Sequence, residues 1–177
     1  FNTTDQAVLT VVNANQITLR GISDATGNYP VLDGENQFAD GVLAGGNDFL
    51  IEKLEIRNYT GNGVLAEGVR NVVMREVYNN HTYANSSGLF FFFFPQLTSK
   101  VASGGKAYNN LVENNNHSNF AKPNTAAALM PAGTGILLLG VDGMEVYSNT
   151  IRGNNSGGIA VFRTTIAYEK ERVDVDD

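Results

Sequence analysis

The chain has 177 residues, with 18 Asp and Glu against 12 Lys and Arg, a formal net charge of -6, no cysteine and no tryptophan. Without cysteine there is no disulfide framework, no thiolate metal or iron–sulfur site, no covalently attached haem and no cysteine nucleophile. Without a basic block there is no footprint for a nucleic-acid backbone or an anionic membrane. Only 17% of the residues are charged and 42% are hydrophobic, so the polarity comes from 22 asparagines, 19 glycines and the hydroxyl residues, and the chain is too apolar for disorder. Residues 1–177 read as one domain, large enough to fold without metal or crosslink.

The first residue is Phe1, and no charged segment with an apolar stretch follows it, which reads as a processed or truncated chain. In chain order, Ile17 to Ile22 alternates apolar and polar residues, and a Gly- and Pro-containing excess runs from Ala25 to Gly34. Asp40-Gly41-Val42-Leu43 is the first of a series of markers in which a small turn residue and a glycine precede β-formers. Phe49 to Ile56 then repeats the Ile17 pattern 32 residues on. Asn62-Gly63-Val64-Leu65 renews the marker, and Val72 to Val77 renews the alternating run at an offset of 23. Ser87-Gly88-Leu89-Phe90 opens into five consecutive phenylalanines, Phe90 to Phe94; the apolar run from Leu89 to Pro95 is too short to span a membrane. Ala107 to Val112 aligns with Val146 to Ile151, and Thr134-Gly135-Ile136-Leu137 and Gly157-Gly158-Ile159-Ala160 are the last two markers. The marker glycines lie 22, 25, 47 and 23 residues apart, and 47 reads as two periods.

The period within each unit is two, which predicts strands; no 3.6-residue pattern persists long enough for a helix. A unit of two or three short strands cannot bury its apolar side alone, whereas stacked units can. The expectation is an all-β fold, a right-handed parallel β-helix (solenoid) of about six to seven rungs. Asn110 and Asn149 fall in the frame of Leu54 and Val77, at a predicted corner where an asparagine takes a left-handed conformation and bonds to the amide of the next rung. Two stretches exceed the period, about 94–105 and 117–131, and carry three of the four prolines; they read as loops on the scaffold, where function is commonly placed. Residues 168–177 read as an acidic tail.

LTSKVASGGKAYNNLVENNNHSNFAKP and PAGTGILLLGVDGMEVYSNTIRGNNSGGIAVF, with GNDFLIEKLEIRNYTGNGVLAEGVRNVVMREV less specifically, resemble bacterial exported proteins described as parallel β-helix repeat-containing. The resemblance runs from about Val31 to Phe162. It implies a secreted or cell-envelope protein, and an association with an exported dihaem c-type cytochrome-like protein, whose haem would belong to that partner. The hallmark motifs of polysaccharide lyases and polygalacturonases of similar architecture are absent.

The frame places Arg20, Glu52, Arg75, Tyr108 and Tyr147 in one outward column, and Thr18, Leu50, Val73, Lys106 and Glu145 beside it. Lined-up cations and tyrosines suit β-elimination of a uronic-acid polymer: a cation neutralises the carboxylate, and Arg75, Lys106 or Tyr108 takes the α-proton. The same residues also read as ordinary cross-strand pairs, worth about 0.2–1 kcal/mol each. His117 and Lys122 lie in the second insertion as candidate binding residues, and His81 is a loop histidine. No metal or other cofactor is expected; calcium held by Asp and Asn oxygens, for example around Asp40 and Asp48 or Asp174, Asp176 and Asp177, is the lesser alternative, since no calcium-loop spacing occurs. Alternation sends at least two rings of Phe90 to Phe94 away from the core, so an insertion covers them or a partner meets them, with Phe92 as the candidate contact. The expected function is a non-catalytic, exported binding or structural module that presents its loops and an aromatic patch to a protein or carbohydrate partner. The alternative is a polysaccharide lyase or epimerase. Homo-oligomers or assemblies through the ends of the β-helix are a further expectation, because open strand edges invite pairing.

Overall fold

The computed structural model describes residues 7–79, 87–93, 102–119 and 130–163. Within them the chain is all-β, with 14 strands and no helix. Six strands of six residues each form one sheet: β1 (Ala7–Val12), β4 (Asp40–Gly45), β6 (Asn62–Glu67), β8 (Ser87–Phe92), β11 (Thr134–Leu139) and β14 (Gly157–Phe162), in that order. The other eight make the second sheet: β2 (Thr18–Arg20), β3 (Val31–Asp33), β5 (Leu50–Arg57), β7 (Val73–Asn79), β9 (Lys106–Tyr108), β10 (Leu111–Glu113), β12 (Glu145–Tyr147) and β13 (Thr150–Arg152). There β2 and β3 lie end to end along β5, β5 pairs with β7, β9 and β10 lie along β7, and β12 and β13 lie along β9 and β10. Every one of these pairings, in both sheets, is parallel.

The registers follow the repeat. Leu9, Val42, Val64, Leu89, Ile136 and Ile159 form one column of the six-stranded sheet, and the marker glycines Gly41, Gly63, Gly88, Gly135 and Gly158 form the column beside it. A Cβ on Gly41 would stand 2.5 Å from the carbonyl oxygen of Gly63, and one on Gly135 2.6 Å from that of Gly158, so the backbones approach too closely for any other residue. The 47-residue interval corrects one expectation. Ser87 on β8 is registered directly with Thr134 on β11, so the interval is one step of the sheet and not two. The offsets of 32 between Thr18 and Leu50, 23 between Leu50 and Val73, and 39 between Ala107 and Val146 agree with the sequence frame.

One core lies between the sheets. Val42, Ala44, Val64, Ala66, Leu89, Phe91, Ile136 and Leu138 from the six-stranded sheet meet Ile51, Leu54, Ile56, Met74, Val77, Ala107 and Val112 from the other. Strands of the second sheet bend at one column, where Lys53, Glu76, Asn109 and Ser148 all have φ between 52° and 59°. The left-handed residue places two successive side chains outward, as with Glu52 and Lys53, before alternation resumes at Leu54. This moves the predicted asparagine corner by one residue. Asn109 and Ser148 take the left-handed conformation, while Asn110 points inward, 2% exposed, in the column of Leu54 and Val77. Its amide does bond along the stack as the frame predicts: Nδ2 donates to Asn149 Oδ1 at 2.9 Å and to the Met74 carbonyl at 3.1 Å, and Oδ1 accepts from the Val77 N–H at 3.0 Å.

The phenylalanine run divides between two environments. Phe91 enters the main core, whereas Phe90 and Phe92, with ring centroids 5.0 Å apart, point out of the opposite side of the sheet. There they form a second cluster with Leu137, Leu139 and Met130, flanked by Leu65, Ala160 and Phe162. Met130 belongs to the second insertion, and Phe90 to Phe93 are all buried. The acidic tail and most of both insertions lie outside the described residues, as do Lys122 and His81. Among the described residues no helix is long and apolar enough to cross a membrane.

Candidate functional site

Parallel pairing sets every outward side chain of the second sheet about 4.8 Å from its equivalent on the next strand. Arg20, Glu52, Arg75, Tyr108 and Tyr147 therefore form a continuous ladder, as the frame predicts. Glu52 lies between two guanidiniums: Arg20 Nε donates to its Oε1 and Arg75 Nε donates to Oε2. It is not the exposed strand residue expected from sequence, being 1% exposed and bonded to both arginines. Burial raises the Glu52 pKa, but the hydrogen bonds from Arg75 and Arg20 outweigh it and leave the carboxyl below its ordinary range. Arg75 also donates through Nη1 to the Tyr108 hydroxyl at 3.0 Å. That bond and the one to Glu52 raise the guanidinium's pKa further. Tyr108 and Tyr147 stack with centroids 4.9 Å apart and planes within 3°.

In the neighbouring column Lys106 Nζ lies 2.9 Å from Glu145 Oε1, and this hydrogen bond raises the ammonium pKa. Sequence reasoning did not single out a third column, which carries Asp33, Arg57, Glu113 and Arg152. Arg57 bridges Asp33 and Glu55 at 2.8 Å each, and Arg152 Nε lies 2.5 Å from the buried Glu113. The offset of 39 that aligns Tyr108 with Tyr147 also aligns Glu113 with Arg152, so the signal was present one bend further along the strand.

Chemically this is a surface of satisfied charges. Four cations of these columns, Arg20, Arg75, Lys106 and Arg152, are each held by a carboxylate. A base for α-proton abstraction needs its pKa brought towards the working pH, and Lys106 is shifted the other way.

The remaining candidates are not brought to the ladder. Phe92 is on the other sheet and buried in the second cluster, so the phenylalanine patch is covered instead of presented. His117 lies beyond β10, its Nδ1 2.8 Å from the Ser118 carbonyl. Asp40 accepts from the backbone N–H and side-chain amide of Asn62, and Asp48 accepts from the Asn71 amide, so both serve the stack. Among the described residues no group of three or more His, Asp or Glu side chains converges as a metal site would require. No protein-family model matches the chain, and no similar curated protein or solved structure was found.

Proposed function

We propose that this chain is a right-handed parallel β-helix, exported to the bacterial envelope or beyond, that works as a non-catalytic binding or structural module. The shared core, the parallel registers and the steps of 22 to 25 residues between most neighbouring strands of the six-stranded sheet support the solenoid. The right hand follows from the strong chirality preference of parallel crossovers. The observation that carries the functional reading is the pairing of the ladder: Arg20 and Arg75 share Glu52, and Lys106 is tied to Glu145. The binding surface is the outward face of the eight-stranded sheet, where the Tyr108–Tyr147 stack, with Tyr147 44% exposed, offers aromatic area beside hydrogen-bonding groups. That combination suits a sugar ring, so a carbohydrate is the first partner to test and the cytochrome-like protein implied by the resemblance is the second.

Two measurements test this. Incubation with alginate, pectate and related uronans should yield no unsaturated product by ultraviolet absorbance; product that disappears in Arg75→Ala would overturn the non-catalytic reading in favour of a lyase. Affinity electrophoresis through the same polysaccharides should retard the protein and retard Tyr147→Ala less. Equal mobility of the two proteins in every gel would remove the carbohydrate partner.

A further inference from the structure

The chain turns left-handed at each bend around the eight-stranded sheet, but the residue types differ from bend to bend. It enters β5, β7, β9 and β12 through Asp48, Asn71, Gly104 and Gly143, with φ between 53° and 72°. Glycine, asparagine and aspartate reach this region most readily, and the Asn71 amide donates to Asp48 across the strands. After β5, β10 and β13 the bend is made by Asn58, Asn114 and Gly153. The bend in the middle of the sheet is different. On β5 and β7 its left-handed residues are Lys53 and Glu76, with φ of 59° and 52°, where the same column has Asn109 after β9. A long side chain gains nothing locally from this conformation, which crowds its Cβ against the following carbonyl.

Lys53 and Glu76 also stand outside the pairing that fixes the rest of the face. They lie opposite each other, between the Glu52–Arg75 and Leu54–Val77 register pairs, and both are half-buried. Parallel strands hold them about 4.8 Å apart, within reach of an ion pair. Yet among the described residues neither side chain has a hydrogen-bond or ion-pair partner. Every other cation on the strands of this sheet, Arg20, Arg57, Arg75, Lys106 and Arg152, is held by a carboxylate. Backbone strain kept by a side chain that makes no contact within the fold marks a place for a ligand contact.

We infer that Lys53 meets an acid group of the carbohydrate and that Glu76 confines that group to the Lys53 side, which rests on the binding function proposed above and narrows its partner to an acidic polysaccharide. The Lys53 ammonium has three donors and no internal acceptor, so a ligand carboxylate binds it without breaking a protein ion pair. At Arg75 or Lys106 the same carboxylate would have to displace Glu52 or Glu145. Glu76 is one strand nearer the Tyr108–Tyr147 stack. There it accepts sugar hydroxyls and repels a second acid group, so the acid is taken at Lys53 and uncharged parts of the sugar chain run towards the tyrosines.

Affinity electrophoresis of the full chain through pectate and, separately, through a neutral β-glucan tests this, each protein being compared with its own mobility in a gel without polysaccharide. Lys53→Asn and Glu76→Asn put into the bend the residue type it already uses at Asn109, so both should unfold in urea at or above the wild-type midpoint. In pectate Lys53→Asn should lose retardation several-fold and Glu76→Asn should gain it; in the neutral glucan both should match wild type. A Lys53→Asn protein retarded by pectate as strongly as wild type would overturn the assignment and leave the binding function standing. So would a Glu76→Asn protein retarded less, a wild type retarded by the glucan alone, or either variant unfolding at lower urea. A wild type that neither gel retards would remove the carbohydrate partner itself, and the role of Lys53 with it.

Discussion

The two sheets share a core but treat their outward sides in opposite ways. On the six-stranded sheet the outward column of Leu65, Phe90, Leu137 and Ala160 is apolar, and its middle is buried under a second cluster that includes Met130 from an insertion. On the eight-stranded sheet the outward columns carry charges that pair along the sheet, beside tyrosines and a few apolar residues such as Leu50 and Val73. A parallel stack thus settles its inward side by hydrophobic burial, whereas the outward side is open to choice. Apolar residues there require more chain to fold over them; alternating charges leave a surface free to meet a partner.

The largest expected effects test whether the six-stranded sheet really has two cores. Phe91→Ala empties a position in the main core and should cost about 3–5 kcal/mol in urea unfolding. Phe92→Ala should cost a similar amount, because its ring is 6% exposed in the second cluster. A Phe92→Ala cost below about 1 kcal/mol would make the outward cluster a surface patch, and the contrast between the sheets would fail. Next comes Asn110→Ala, which leaves the Val77 N–H and the Met74 carbonyl without their side-chain partner. At about 1–3 kcal/mol per orphaned group, a loss of about 2–6 kcal/mol is expected, and a loss near zero would show that the amide ladder is ornamental.

Much of this contrast was legible in the sequence. Period-two alternation and the glycine markers gave the registers, because a residue's column depends only on its offset from the repeat. The ladder from Arg20 to Tyr147 followed without knowledge of any contact. What the frame could not supply was the exact bend. Asn109 and Asn110 are the same residue type, and only the position of the left-handed φ decides which turns the chain and which enters the core. Nor could it tell that the interval from Gly88 to Gly135 is one step, since length alone does not distinguish two rungs from one rung with insertions. The candidate base residues and their pairing were both legible: the frame sets Arg75 beside Glu52 and Lys106 beside Glu145, and both cations are tied to those carboxylates.

Smaller effects come from two glutamates that titrate in opposite directions, one in each sheet. Glu52 is held below its ordinary range by Arg75 and Arg20 against the opposing effect of burial, so it contributes stability above the usual glutamate pKa. That contribution is lost as pH falls through its depressed value. Glu52→Gln should therefore cost about 1–3 kcal/mol near neutrality, and the difference from wild type should close in acid.

Glu67 lies in register with Phe92, and burial pushes its carboxyl up; among the described residues no cation pairs with it. The sign is reversed. The folded chain holds its proton to higher pH than the unfolded one, so stability falls as pH rises from the ordinary glutamate value through the raised one, and the penalty persists at neutrality. Glu67→Gln should then be the more stable protein at pH 7, by a few tenths of a kcal/mol, with the gain vanishing below about pH 4. Urea unfolding of the two variants beside wild type at neutral and acid pH would give difference curves of opposite sign that converge in acid. If Glu67→Gln destabilises at pH 7, the carboxylate has a favourable partner on the apolar side, and the division between a covered apolar sheet and a self-paired charged one is less strict than the ladders imply.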